Sequence, residues 1–249
     1  MSAPRAVALC QCFNGALEFQ AGRWEAAEAA LWESIKLYRE IGAASGEALA
    51  CQRLGVILTA RHQLDEALAV LEEGVLAAER AVMRAHCLTR LYAAMSRNRL
   101  EAGDVPAADH ALYLGLAMRE RHGHCTTCSA LLLPAAVSVR VAQGDLEGAA
   151  EFCRQLEAAA AEYGSQTWVA MARQARGELS AAFGDFDEAL ACYNEAHERF
   201  RRASYDYEAA RCLEAAADVR RQRAAPGDTE VARQAQNEAE HMLARLVSA

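Results

Sequence analysis

The apolar and polar positions along this chain follow the period of an α-helix. Apolar residues return every three or four positions, and turn-forming residues break the pattern at regular intervals. The spacing predicts twelve helices, near residues 4–20, 24–41, 44–60, 64–80, 83–101, 105–121, 127–142, 146–163, 166–182, 186–202, 205–223 and 228–247. Ala224-Ala225-Pro226-Gly227-Asp228 is the most loop-like interior stretch. The last helix is polar, with Arg233, Gln234, Gln236, Asn237, Glu238 and Glu240, as suits the solvated end of an array. The first helix has no such coat. Its Val7, Leu9, Cys10, Phe13 and Leu17 suggest a homodimer contact through the N-terminal helix, or a further repeat upstream.

The helices come in pairs because the sequence repeats itself. Gly22-Arg23-Trp24-Glu25-Ala26-Ala27 returns as His62-Gln63-Leu64-Asp65-Glu66-Ala67. It returns again at residues 103–108, 144–149 and 184–189, and in a sixth copy at 227–232. The closing alanines Ala27, Ala67, Ala108, Ala149 and Ala189 stand 40, 41, 41 and 40 residues apart, and Ala232 follows after 43. The physics of each copy is the same. A glycine ends one helix in the left-handed conformation, and an acidic residue starts the next. The small alanine then lets two helices approach. Four residues on comes a larger side chain: Leu31, Leu71, Leu112, Cys153 or Tyr193. Gly15, Gly55 and Gly177 stand seven residues before the loop.

This pattern resembles the tetratricopeptide repeat, lengthened by roughly a turn per helix over its usual form. The long variant is similar to the helical-repeat regions of large bacterial ATP-binding LuxR-type transcriptional regulators. Ser204-Tyr205-Asp206-Tyr207-Glu208-Ala209-Ala210-Arg211 looks like a helix start common in them. The resemblance implies an all-α fold, a right-handed superhelical solenoid of about six helix pairs, read here as one domain over residues 1–249. It implies a binding scaffold or regulatory module rather than an enzyme. The chain has no phosphate-binding Gly-x-x-x-x-Gly-Lys-Ser/Thr loop and no terminal helix-turn-helix, so ATPase activity and DNA binding do not carry over.

In tetratricopeptide proteins the first helix of each pair lines a concave groove that takes a protein or peptide. Transferred by register, the partner-binding positions are Gln52, Val56, Arg90, Arg97, Glu101, Leu131, Ser138, Gln174, Glu178, Arg211, Glu214 and Asp218. They are mixed in sign, with no cluster of the kind that clamps a terminal carboxylate.

Composition agrees with this reading. Apolar residues are 53% and aromatics only 6%, which favours close helix packing over a β-rich core. The net charge of −8 and the short basic spots at 199–202 and 220–223 speak against a nucleic-acid partner. No leader or membrane-spanning stretch is visible. Nine cysteines, an odd number, suit free thiols in a reducing cytoplasm. Cys10, Cys12, Cys51, Cys87, Cys153, Cys192 and Cys212 read as small buried hydrophobes. Trp24, Trp32 and Trp168 read as packing anchors, and His62, His86, His110 and His197 as isolated surface or capping residues.

One segment carries chemistry. His122-Gly123-His124-Cys125-Thr126-Thr127-Cys128 puts two imidazoles and two thiols within seven residues, between the third and fourth helix pairs. A Cys-x-x-Cys at a helix start lets both sulfurs face one ion, and zinc favours such donors. His122 is the better-placed imidazole, because His124 adjoins Cys125. Cys87, 41 residues before Cys128, is a further candidate ligand. A redox dithiol and a purely structural turn, with Pro134 early in the following helix, are the competing readings. The metal reading makes the chain a metal- or redox-responsive sensor with a site between repeats three and four.

Overall fold

The computed structural model describes residues 3–122 and 125–248. These residues form twelve α-helices and no strand. The first three pairs are α1 (Pro4–Gln20) with α2 (Trp24–Glu40), α3 (Ala44–Ala60) with α4 (Leu64–Glu79), and α5 (Arg84–Glu101) with α6 (Val105–His122). The next are α7 (Thr126–Ala142) with α8 (Leu146–Tyr163), and α9 (Gln166–Phe183) with α10 (Phe186–Arg202). The last is α11 (Asp206–Arg223) with α12 (Asp228–Ser248). The expected helix-pair repeat is therefore present, with ends within a residue or so of the sequence pattern. The chain forms two compact units. One holds the chain through Phe19 together with Trp24–Ala135, and the other holds Gln20–Arg23 with the chain from Ala136 onward.

The helix ends follow from the Gly-Asp loops. Gly144 (φ +75°) and Gly184 (φ +82°) turn the chain in the left-handed region, where a side chain is costly. Asp145 Oδ1 then accepts the Gly148 N–H at 2.9 Å, and Asp185 Oδ1 accepts the Glu188 N–H at 3.3 Å. Each carboxylate satisfies one of the orphan donors of a helix start. In the second copy His62 occupies the glycine position and still adopts φ +58°. The helix α7 runs unbroken through Pro134, which falls in its third turn.

Packing within a pair is set by the glycines upstream of each loop. A Cβ on Gly55 would lie 2.5 Å from Leu71 Cγ, and one on Gly15 would lie 2.5 Å from Leu31 Cγ. Gly177 faces the ring of Tyr193 in the same way. Leu31 and Leu71 are fully buried. At the equivalent place in the fourth pair the sizes are exchanged, with Val137 opposite the smaller Cys153 by register, and both are buried. Between pairs the small residue lies on the second helix. Gly74 admits Leu91 of α5, and Gly115 admits Leu132 of α7.

Polar groups tie helices both within a pair and between neighbouring pairs. Ser34 donates from its hydroxyl to the Ala8 carbonyl at 2.8 Å, fully buried. Asn98 Nδ2 donates to Thr59 Oγ1 at 3.2 Å and to the Leu64 carbonyl at 3.1 Å. The buried Glu47 carboxylate accepts from Arg39 at 2.6 Å and lies 3.5 Å from Arg80. In the second unit Arg176 grips Glu157 with two bonds of 2.9 and 2.6 Å. Two packing expectations fail. Cys10 lies on the exposed face of α1, and Trp32 is partly exposed, whereas Trp24 is buried. The α1 side chains Val7, Leu9, Phe13 and Leu17 are exposed.

Candidate functional site

The helix starts of α5 and α7 lie side by side within the first unit. Cys125 immediately precedes α7, and Cys128 is in its first turn. The Cys125 carbonyl accepts the N–H groups of Cys128 (3.1 Å) and Ser129 (2.9 Å), which begins the helix and holds the two thiols on one side. His86, in the first turn of α5, faces them. Its Nδ1 lies 3.0 Å from Cys128 Sγ and 3.9 Å from Cys125 Sγ. One donor atom from each of the three residues falls within 4.8 Å of the others. Cys128 is buried, His86 half-buried and Cys125 exposed, so the group has one side open to solvent.

Its surroundings separate the two thiols. Burial opposes the Cys125 anion, but contacts from the Thr127 hydroxyl (3.1 Å), the Cys128 backbone N–H, His86 and the Cys128 thiol outweigh it. The pKa of Cys125 is brought down to about 6. Cys128 is pushed up to about 12, first by burial and then by its neighbour Cys125. The geometry is that of one thiolate stabilised beside one thiol. Arg90, one helical turn after His86, adds positive charge near both sulfurs.

The residues read from the sequence divide unevenly. Cys125 and Cys128 come together as expected. His122 lines the same cavity, about 360 Å³, with Met83, Arg84, His86 and Arg119, but lies outside the close group. His124 falls outside the described residues. Cys87 is not in the group; it is fully buried and its thiol faces the Ser45 carbonyl at 3.8 Å. The reason is the repeat itself. Cys87 and Cys128 hold equivalent slots, so each points at the layer before its own, and Cys128 Sγ likewise sits 3.9 Å from the His86 carbonyl. His86, read from the sequence as an isolated surface residue, is the imidazole of the group. The signal for it was the same period: Ser45 stands opposite Cys87, and 41 residues later His86 stands opposite Cys128.

The positions expected from the sequence to face a partner also separate by unit. In the first, Gln52 on α3 is buried with no hydrogen bond to Oε1, and Arg90 on α5 is half-buried with none to Nε. Burial above all holds the pKa of Arg90 below its ordinary value; the Cys128 thiol opposes this, and the nearby charge of Arg53 adds to it. Arg97 and Glu101 are half-buried on the same helix. In the second unit Glu178 accepts from the Ser138 hydroxyl at 2.7 Å, and Arg211 pairs with Glu214 at 3.2 Å. Gln174 is half-buried on α9.

No protein-family profile matches the chain, and no curated protein matches it. Solved structures do. A Rap protein crystallised with Competence and Sporulation Factor superposes with a TM-score of 0.79, at 13% identity, over 99% of this chain and 67% of its own. This chain has the helical-repeat fold of that Rap protein. BtubC from P. vanneervenii superposes at 0.58 and 13% identity, covering 100% of this chain and 94% of its own. A tetratricopeptide repeat protein from Parabacteroides merdae reaches 0.49 at 13% identity, covering 98% of each chain. Among the described residues no helix is long and apolar enough to cross a membrane.

Proposed function

We propose that this chain is a peptide- or protein-binding helical-repeat module, and that the first helices of its pairs carry the binding face. The observation that carries the reading is the pair of unsatisfied buried polar atoms, Gln52 Oε1 and Arg90 Nε, on successive first helices of one unit. Such groups cost about 1–3 kcal/mol each while they lack a partner. A peptide supplies what they lack, since a backbone N–H suits the amide oxygen and a carbonyl or carboxylate suits the guanidinium. The fold supports the same reading, because the Rap protein with this arrangement was crystallised with Competence and Sporulation Factor. In this reading the module acts in bacterial signalling or transcriptional control, through protein contacts rather than on nucleic acid or membrane; the sequence resemblance to LuxR-type repeat regions is what suggests that setting.

The test is selection of peptides from a random display library on the purified protein, followed by fluorescence anisotropy. Arg90→Ala and Gln52→Ala weaken the selected peptides about tenfold or more, the range for a buried polar contact. Their thermal midpoints stay at or above the parent value. Peptides that bind both variants as tightly as the parent would place the binding face elsewhere.

A further inference from the structure

The repeat packs a cysteine against the preceding layer without any help from an imidazole. Cys87 shows this: it is buried against the Ser45 carbonyl, and Arg84 stands where Cys125 stands one period later. The next layer keeps that arrangement in Cys128 and adds two groups that packing does not require. One is the imidazole of His86 in place of Ser45. The other is the exposed thiol of Cys125. Three soft or borderline donors thus converge from two helix starts.

Their spacing suits a small tetrahedral ion. Donors at about 2.3 Å (sulfur) and 2.0–2.1 Å (nitrogen) from zinc lie about 3.6 Å from each other across a tetrahedral edge. The two sulfur-to-nitrogen distances, 3.0 and 3.9 Å, straddle that value. Two sulfurs and one nitrogen are donors that zinc prefers over the oxygen-seeking magnesium and calcium. The exposed side, at Cys125, gives an ion its way in.

We propose that His86 Nδ1, Cys125 Sγ and Cys128 Sγ bind one zinc ion, leaving a fourth position for water or an external ligand. His86 binds as the neutral imidazole with its proton on Nε2. Both sulfurs bind as thiolates, and their protons leave to solvent. The two thiolate charges balance the ion, and Arg90 lies beside them. The ion then ties the start of α5 to the start of α7. Zinc binding does not depend on the peptide-binding reading, since a protein with no peptide partner would still hold the ion.

The probe is cobalt(II), added to the full-length, untagged, reduced and metal-stripped protein. The expected result is one equivalent of tetrahedral cobalt, with visible d–d bands and thiolate-to-metal charge transfer, displaced by one equivalent of zinc. Cys125→Ser, Cys128→Ser and His86→Gln each weaken binding by about two orders of magnitude or more. Cys87→Ser leaves stoichiometry and spectrum unchanged. Cys125 is exposed, so its variant keeps the helical circular dichroism of the parent and decides the question if the buried Cys128→Ser unfolds. Absence of the bands, their survival in Cys125→Ser or His86→Gln, or equal loss in Cys87→Ser overturns the assignment. So does a Cys125–Cys128 disulfide that persists under reduction and excludes the metal.

Discussion

His62 occupies a position that glycine fills in the other five of the six loop copies with the same frame, and it holds φ +58° there. A Cβ in the left-handed region costs about 1–2 kcal/mol, partly recovered by the smaller chain entropy of a non-glycine residue. His62→Gly is therefore expected to raise stability by up to about 1 kcal/mol, read as a higher urea midpoint at unchanged slope. Cys125 makes a second residue-scale prediction. Its pKa is lowered to about 6, so the reactive anion is present above that pH and lost below it. In reduced, metal-free protein, alkylation of Cys125 by iodoacetamide should rise through pH 6 and level off before neutrality. Cys128, pushed up to about 12 and buried, should stay unmodified. Peptide mass mapping across a pH series checks both.

Among the elements, the helix pair is held by a close approach that composition alone does not reveal. Gly55→Ala gains helix propensity, about 1 kcal/mol, yet forces a methyl against Leu71 in a sealed core. The overpacking term, about 1–3 kcal/mol, is the larger, so the variant should melt lower than the parent. Leu71→Ala opens room beside that methyl, so the two substitutions should be non-additive in a double-mutant cycle. The loop before α12 makes a pH prediction. Asp228 is buried, pairs with Arg223 at 2.7 Å and accepts the Ala225 N–H at 2.9 Å. Hydrogen bonds from Arg223, chiefly, lower its pKa from 3.8 to about 2. Its stabilising share is present above pH 3.8 and lost as the pH falls to about 2. Melting curves of Asp228→Asn should lie below the parent near neutral pH and converge with it across that window.

Over the molecule, the helix boundaries were legible because each is written in local chemistry. The left-handed glycines and capping aspartates at 144–145 and 184–185 need no tertiary information to be read. Cys125 and Cys128 were legible for the same reason, being neighbours on one helix start. His86 was not, because its meaning depends on which layer faces which, 42 residues away. Cys87 misled for the mirror-image reason: equal register makes two residues parallel, not convergent. The exposure of Cys10 and Trp32 also escaped a pattern that records how apolar a position is but not what covers it.

A layered array whose contacts recur at a fixed offset works as a set of interchangeable sockets. Ser45, Arg84 and Cys87 occupy the sockets that His86, Cys125 and Cys128 fill one layer later. Ser45→His with Arg84→Cys should copy the donor set into the earlier layer, and the cobalt stoichiometry should rise from one to two. Chemistry on such a scaffold is portable: two substitutions at the right phase can move a site along the chain, while the period that positions it stays unchanged.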